Sequence, residues 1–139
     1  MRTDGFISTL ADIDRKGRVL INRRTGQPVA IGIEAALTRG ARRRGLLGRD
    51  ALEPSAALVL APCFAIHTAF MRFKIDVVFV DYGGRVVRIV QALPPWRVAV
   101  SPRAHAVVEL AAGSLGSGDL VVGDYIRCEA SQPSPRGGC

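Results

Sequence analysis

Cys63 and His67 are the two residues of this chain whose chemistry and spacing come nearest to a catalytic pair. An imidazole within hydrogen-bond reach of a thiol can generate a thiolate nucleophile. In an extended strand four residues cover about 13 Å, so only a helical turn or a tight loop would bring the two side chains together. A buried cysteine beside a locally satisfied histidine is the simpler interpretation. Cys63 and His67 are therefore candidates for a thiol enzyme, although no complete set of nucleophile, base and orienting group is visible.

A second group of polar side chains lies on a segment that alternates between apolar and charged residues from Met71 to Val77. If the segment is extended, Arg72, Lys74 and Asp76 share one face. The two cations could hold an anion at a concave mouth, with the carboxylate orienting them. The alternative is a solvated strand face with charge pairing across strands.

Two carboxylates interrupt apolar runs and therefore need partners if they are buried. Asp76 opens the apolar run that continues to Val80, and Glu109 lies inside the run from Val107 to Leu110. Arg72, Arg97 or Arg103 could form an ion pair with one of these carboxylates. The predicted ligand-binding residues are His67, Arg72, Asp76 and Glu109.

A third candidate site is a short basic helix from Arg39 to about Leu46, for which Thr38 is a suitable N-cap. Arg39, Arg42 and Arg43 lie on one face and are the predicted anion-binding residues. Contact with phosphate or nucleic acid is one interpretation, and a solvated basic face is the other. The aromatic residues that could stack on bases are scattered along the chain, which weakens the nucleic-acid interpretation.

Metal and cofactor chemistry is not indicated by the ligand spacing. The cysteines are Cys63, Cys128 and Cys139, with no C-x-x-C pair, and the two histidines, His67 and His105, are far apart in the sequence. We therefore expect reduced thiols, no metal and no cofactor.

Composition indicates one globular domain. The chain has 139 residues, of which 48% are hydrophobic and 22% charged, too apolar for a disordered protein. The net charge is +7, and residues 1–49 hold eleven Lys and Arg against four Asp and Glu. This asymmetry can mark a region that binds nucleic acid or an acidic surface, but biased use of arginine is the simpler explanation. The apolar runs are too short to span a membrane and no secretory signal is visible, so we expect a cytoplasmic protein.

Hydrophobic alternation and turn residues predict short strands connected by hairpins. The clearest hairpin runs through Val80, a turn at 81–84 and a return strand to Leu93. Other strands are predicted at 19–21, 29–35, 57–61, 106–110 and 125–130. The fold class is mainly β (α+β), a small closed or partly open β-barrel of six or seven short strands with one or two short helices. Residues 1–18 read as a flexible leader, 19–130 as the domain and 131–139 as a disordered tail.

Several short motifs in a fixed order resemble the family known as domain of unknown function 192. They are Arg44-Gly45-Leu46-Leu47-Gly48-Arg49, Pro62-Cys63, Ile66-His67-Thr68, Met71-Arg72-Phe73, Ile75-Asp76-Val77-Val78-Phe79, Asp81, Gly84-Arg85-Val86-Val87, Pro95-Trp96-Arg97-Val98, Val108-Glu109-Leu110, Gly113 and Gly123-Asp124. Phe70 and Lys74 depart from the pattern, which usually has Gly and Pro there. The resemblance implies a small β-rich fold and no established activity.

The sequence therefore predicts an uncharacterised, non-catalytic ligand-binding or accessory module with a small anionic ligand or a protein partner. A thiol hydrolase-like enzyme using Cys63 and His67 is the first alternative. Weak nucleic-acid or polyanion binding through the arginine helix is the second. Substrate, partner and oligomeric state are left open.

Overall fold

A five-stranded sheet lies at the centre of the fold, flanked by a three-stranded sheet and a two-stranded ribbon. The computed structural model describes residues 18–116 and 119–130. Within them the strands are β1 Arg18–Asn22, β2 Pro28–Ala30, β3 Gly32–Ala36, β4 Ala56–Leu60, β5 Ala65–His67, β6 Ile75–Val80, β7 Val86–Leu93, β8 Val98–Val100, β9 Ala106–Ala111 and β10 Ile126–Ala130. One short helix, α1 Arg39–Arg44, connects β3 to β4.

The central sheet has the strand order β3-β4-β9-β6-β7, with β3 and β4 parallel and the other neighbours antiparallel. Strand β6 is buried along its whole length because it lies in the interior of the sheet and both of its faces are covered. The three-stranded sheet has the order β10-β1-β2, and β5 pairs with β8 as a separate ribbon.

Two apolar clusters cover the two faces of the central sheet, as the alternation of side chains along β6 and β9 requires. Val78 and Val108 belong to the cluster that includes residues of the three-stranded sheet. Val77 and Val107 belong to the cluster that includes Leu46, just after α1. Odd-numbered positions of β9 therefore face α1, which sets the direction of Glu109.

The predicted hairpin from β6 to β7 is confirmed, and its turn shows why the sequence forms it. The Asp81 carboxylate accepts hydrogen bonds from the backbone N–H of Gly83 and Arg85 at 3.0 and 2.9 Å. Gly84 has φ 92°, a conformation that glycine adopts without strain. The two strands then pair in antiparallel register, with Val78 opposite Ile89.

The predicted basic helix is also confirmed. Thr38 caps α1, since its hydroxyl oxygen accepts a hydrogen bond from the Ala41 N–H at 3.1 Å. Gly45 ends the helix at φ 46°. None of the helical residues is buried, whereas Leu46 immediately after the helix is. Leu46 therefore fixes α1 to the sheet and leaves the arginines on its surface.

The mainly β class is confirmed, but the barrel and the count of six or seven strands are not. The described residues form ten strands in three sheets, with no ladder closing β7 back onto β3. The strand count is higher than predicted partly because the chain breaks at Ile31. This break divides the predicted strand 29–35 into β2 and β3, which belong to different sheets. The prediction that residues 71–74 are extended strand is wrong as well, since β6 begins at Ile75.

The predicted domain limits are not tested. Of the proposed leader, residues 1–17 lie outside the described part of the chain, and Arg18 is the first residue of β1. The proposed tail, 131–139, also lies outside the described residues.

Candidate functional site

A cavity of about 310 Å³ lies between α1, β5 and the face of β9. Its wall combines the arginines of the helix, several apolar side chains and three residues able to exchange protons. The lining residues are Arg39, Arg42, Arg43, Arg44, Gly45, Leu46, Leu47, Leu60, Cys63, Ala65, Ile66, His67, Met71 and Glu109.

Glu109 forms the inner wall of this cavity from the middle of the central sheet. It stands in β9 between Leu58 of β4 and Val77 of β6, and only 5% of its surface is exposed. Its Oε2 atom is buried and has no hydrogen-bond partner among the described residues. Nearly all buried polar atoms in proteins have a partner, so an orphaned carboxylate oxygen at a cavity wall indicates a place for a ligand or a solvent molecule.

Burial raises the pKa of Glu109 from 4.5 to about 7, and the positive charge of Arg49 opposes the rise. Arg49 is itself engaged elsewhere, because its guanidinium pairs with Glu34 at 2.6 Å. Glu109 therefore exchanges its proton near neutral pH, whereas an ordinary glutamate is ionised there.

Four arginines of α1 line the same cavity, and their guanidinium groups differ in how they are held. Arg42 donates to the backbone carbonyls of Leu37 at 2.7 Å and Ala61 at 3.3 Å, which fixes it across the end of β4. Arg39, Arg43 and Arg44 make no hydrogen bond or ion pair with any residue in the described part of the chain. Three cations at the cavity are thus available to an anion.

Cys63 and His67 both line the cavity, but the thiol is not activated by its surroundings. The Cys63 Sγ donates a hydrogen bond to the Ala65 carbonyl at 3.1 Å. Burial raises the pKa of the Cys63 thiol, the charge of Glu109 adds to the rise, and Arg42 opposes it. A raised pKa leaves less thiolate at neutral pH, which is the reverse of what a nucleophilic cysteine needs.

Arg72 and Asp76 lie apart from this cavity. Arg72 pairs with Asp50 on the surface at 2.6 Å, with both side chains largely exposed. Asp76 is buried and accepts three hydrogen bonds from backbone N–H groups, those of Ala92, Gly113 and Leu115, at 2.8, 3.1 and 3.2 Å. Asp76 therefore connects β6 to the end of β7 and to the turn that follows β9.

Of the four predicted ligand-binding residues, the cavity therefore brings together His67 and Glu109 and adds the predicted anion-binding arginines. Sequence reasoning treated the arginine helix and Glu109 as separate candidates. The signal that connects them is the short β3–α1–β4 crossover between parallel strands, since such a crossover lays its helix on a face of the sheet. Neither carboxylate is paired with Arg72, Arg97 or Arg103 in the described residues.

Residues 18–116 and 119–130 contain no group of three or more His, Cys, Asp or Glu side chains placed to hold a metal ion. In the same residues no helix has the length and apolar character needed to cross a lipid bilayer.

The fold and the cavity define a small mainly β domain with an arginine-lined cavity over a buried glutamate. The chain belongs to the DUF192 family, described as an uncharacterised ACR, whose model matches residues 20–128. None of the curated proteins matches the chain.

Two solved structures are similar in fold. One is a putative transcription regulator from Sinorhizobium meliloti 1021, 21% identical, with a TM-score of 0.71 over 81% of this chain and 92% of that one. The other is a protein of unknown function from Novosphingobium aromaticivorans DSM 12444, 18% identical, with a TM-score of 0.68 over 80% of this chain and 83% of that one. At these identities the likeness concerns the fold alone.

Proposed function

We propose that this domain is a non-catalytic binding module for a small anionic ligand, which occupies the cavity between α1 and β9. The observation that carries the proposal is that one cavity is lined by three arginines and by a buried carboxyl oxygen, none of which has a hydrogen-bond partner among the described residues. The buried carboxyl oxygen is costly to maintain in a folded protein, and a ligand would relieve that cost. The three arginines are exposed and can bind an anion without breaking any ion pair within the described residues.

The arginines define the charge of the ligand. A guanidinium presents several donors in a planar fork that matches a carboxylate or a phosphate. The cavity volume of about 310 Å³ is at the small end of ligand pockets, which favours a metabolite-sized anion. Leu46, Leu60 and Met71 supply an apolar wall for the carbon skeleton of such a molecule.

Glu109 couples binding of the anion to a proton. An anion placed beside the carboxyl group favours its neutral form, because two like charges repel in a poorly solvated site. Protonated Glu109 then donates a hydrogen bond to the ligand, so binding takes up a proton. The affinity therefore rises as the pH falls from 8 to 6.

The test is a melting-temperature series with inorganic phosphate and citrate as separate probes at constant ionic strength. At least one probe should raise the melting temperature of the wild type, and the double variant Arg39→Gln with Arg43→Gln should lose the increase. Arg72→Ala is the matched control, since it removes an exposed arginine outside the cavity. Equal increases in all three proteins, or no increase with either probe, would remove this site.

Nucleic-acid binding is a second candidate, favoured by the row of arginines on α1. The Sinorhizobium meliloti relative of similar fold is described as a putative transcription regulator, a description that concerns that protein. If α1 binds phosphates of a nucleic acid, retention on a polyanion should fall steeply with salt and should be lost in the same double variant. Absence of retention at low salt would dispose of this candidate.

The thiol-enzyme candidate is not supported by the environment of Cys63. Burial raises the pKa of that thiol, and the Ala65 carbonyl accepts a hydrogen bond from it. His67 lines the same cavity, and we propose that it contributes to ligand binding rather than to proton transfer from the thiol.

A further inference from the structure

Two aromatic side chains stand side by side at one end of the β5–β8 ribbon. Phe70 and Trp96 are 72% and 60% exposed, and their rings meet edge to face with centroids 4.6 Å apart. They lie on the loops that leave β5 and enter β8, just beyond the pair formed by His67 and Val98. We call this pair of residues the aromatic tip.

The backbone holds the aromatic tip in a strained conformation. Phe70 and Trp96 both have φ 65°, in the left-handed region that bulky side chains rarely occupy. Buried Thr68 connects the two loops: its carbonyl accepts a hydrogen bond from the Trp96 N–H at 3.0 Å, and its hydroxyl donates to Pro94 at 2.7 Å. Two exposed rings in strained positions, held by a buried anchor, indicate that the exposed rings serve a purpose outside the fold.

The two chain segments that carry the aromatic tip are rich in cations. Residues 54–75 and 82–108 contain no Asp or Glu, and Arg72, Lys74 and Arg97 lie within four residues of one of the two rings. All three cations are exposed. Val98 adds an exposed apolar side chain next to Arg97. Arg72 is paired with Asp50, so Lys74 and Arg97 give these segments their net positive charge, which is complementary to an anionic partner.

We propose that the aromatic tip docks reversibly on an anionic lipid surface, an interaction separate from the ligand cavity. Trp96, whose ring has an apolar body and a polar N–H, enters the headgroup region, and Phe70 inserts an apolar ring beside it. Lys74 and Arg97 contact the lipid phosphates, and Arg72 can join them when it leaves Asp50.

A lipid surface fits these features better than the other anionic partners. Stacking on the bases of a single-stranded nucleic acid needs accessible ring faces, whereas here the edge of one ring covers a face of the other. A docking groove for an acidic peptide is built from apolar pockets, whereas these rings project from two loop ends. Apolar loop ends surrounded by cations match the layered polarity of a bilayer surface.

The expected affinity is modest. Each cation near an anionic bilayer changes the partition coefficient about fivefold, and burial of one large ring changes it at least tenfold. Binding should therefore be detectable at high lipid concentration, and salt should weaken it because the cations act at the exposed surface.

Trp96 is the single tryptophan of the chain, so its emission reports directly on the aromatic tip. The full chain is titrated with phosphatidylcholine vesicles with or without phosphatidylglycerol. The proposal expects a blue shift and quenching by brominated lipid with the anionic vesicles, both reversed by salt. An emission spectrum unchanged by anionic vesicles at low salt overturns it, as does a shift produced by single-stranded DNA or a polyglutamate peptide but by no vesicle.

Phe70→Gly separates docking from folding, because glycine accepts φ 65° without strain. This variant should melt no lower than the wild type and should bind anionic vesicles about tenfold more weakly. Tyr82→Ala removes a comparably exposed ring, 49% exposed, at the β6–β7 turn and serves as the matched control. Equal vesicle binding by Phe70→Gly and the wild type, or an equal loss in Tyr82→Ala, contradicts the proposal.

Discussion

Asp76 and Glu109 are two buried carboxylates in neighbouring strands of one sheet, and their surroundings differ in every respect. Asp76 in β6 is opposite Leu110, one position from Glu109 in β9, and the two side chains point to opposite faces. Three backbone N–H groups satisfy Asp76. One oxygen of Glu109 meets no donor among the described residues, and the side chain borders a cavity with four arginines.

The difference separates a carboxylate that builds the fold from one that the fold merely accommodates. Asp76 joins the end of β7 to the turn after β9, and it holds Ala92 at φ 52° in the process. The Oε2 atom of Glu109 accepts no hydrogen bond from any described residue, so burial of this side chain lowers stability. A residue retained at such a cost is a better candidate for function than one that stabilises its neighbours.

Substitution of Asp76 should have the largest effect on the stability of the fold. Asp76→Ala leaves three backbone donors without an acceptor and should lower the free energy of unfolding by about 3 to 5 kcal/mol. Urea denaturation followed by circular dichroism measures the loss. A decrease below about 1 kcal/mol would mean that solvent or another side chain replaces the carboxylate.

Glu109→Gln should instead stabilise the protein at alkaline pH. A carboxyl whose pKa is raised on folding binds its proton more tightly in the folded state, so stability is lost as the pH rises from 4.5 to about 7. Glutamine does not titrate, so the substitution removes this loss. The free energy of unfolding of the variant relative to the wild type should be up to about 3 kcal/mol higher at pH 8 than at pH 5. Unfolding curves of both proteins at pH 5 and pH 8 give the difference. Parallel pH dependence in the two proteins would contradict the assignment.

The smallest effect is expected at Cys63, which borders the cavity without an activated thiol. Cys63→Ser should change the affinity for the anionic probe by less than about threefold, because the thiol already donates to the Ala65 carbonyl. Alkylation of Cys63 at pH 7 should be slower than that of a free thiol in solution. Rapid alkylation together with loss of binding would restore the catalytic interpretation.

The sequence predicts those elements whose determinants are local. The β6–β7 hairpin follows from the turn residues Asp81 and Gly84, and α1 follows from Thr38 and Gly45. The strand at β4 follows from an apolar run bounded by turn residues.

What the sequence does not predict depends on contacts between distant segments. The donors that satisfy Asp76 come from residues 92, 113 and 115, and backbone N–H groups leave no pattern in a sequence. Alternation from Met71 to Val77 suggested a strand bearing Arg72 and Lys74, but pairing begins only at Ile75. The arginines and Glu109 line one cavity because the β3–α1–β4 connection lays its helix on the sheet, and predicting this requires knowing that β3 and β4 are parallel.

The most direct test of the account is a titration of the Glu109 side-chain carboxyl by ¹³C NMR, with and without the anionic probe that raises the melting temperature. The account predicts a pKa near 7 in the free protein and a higher value when the probe is bound, with no change in the Arg39→Gln, Arg43→Gln variant. A carboxyl that titrates near 4.5, or one whose pKa the bound probe leaves unchanged, would contradict a shared site for Glu109 and the arginines.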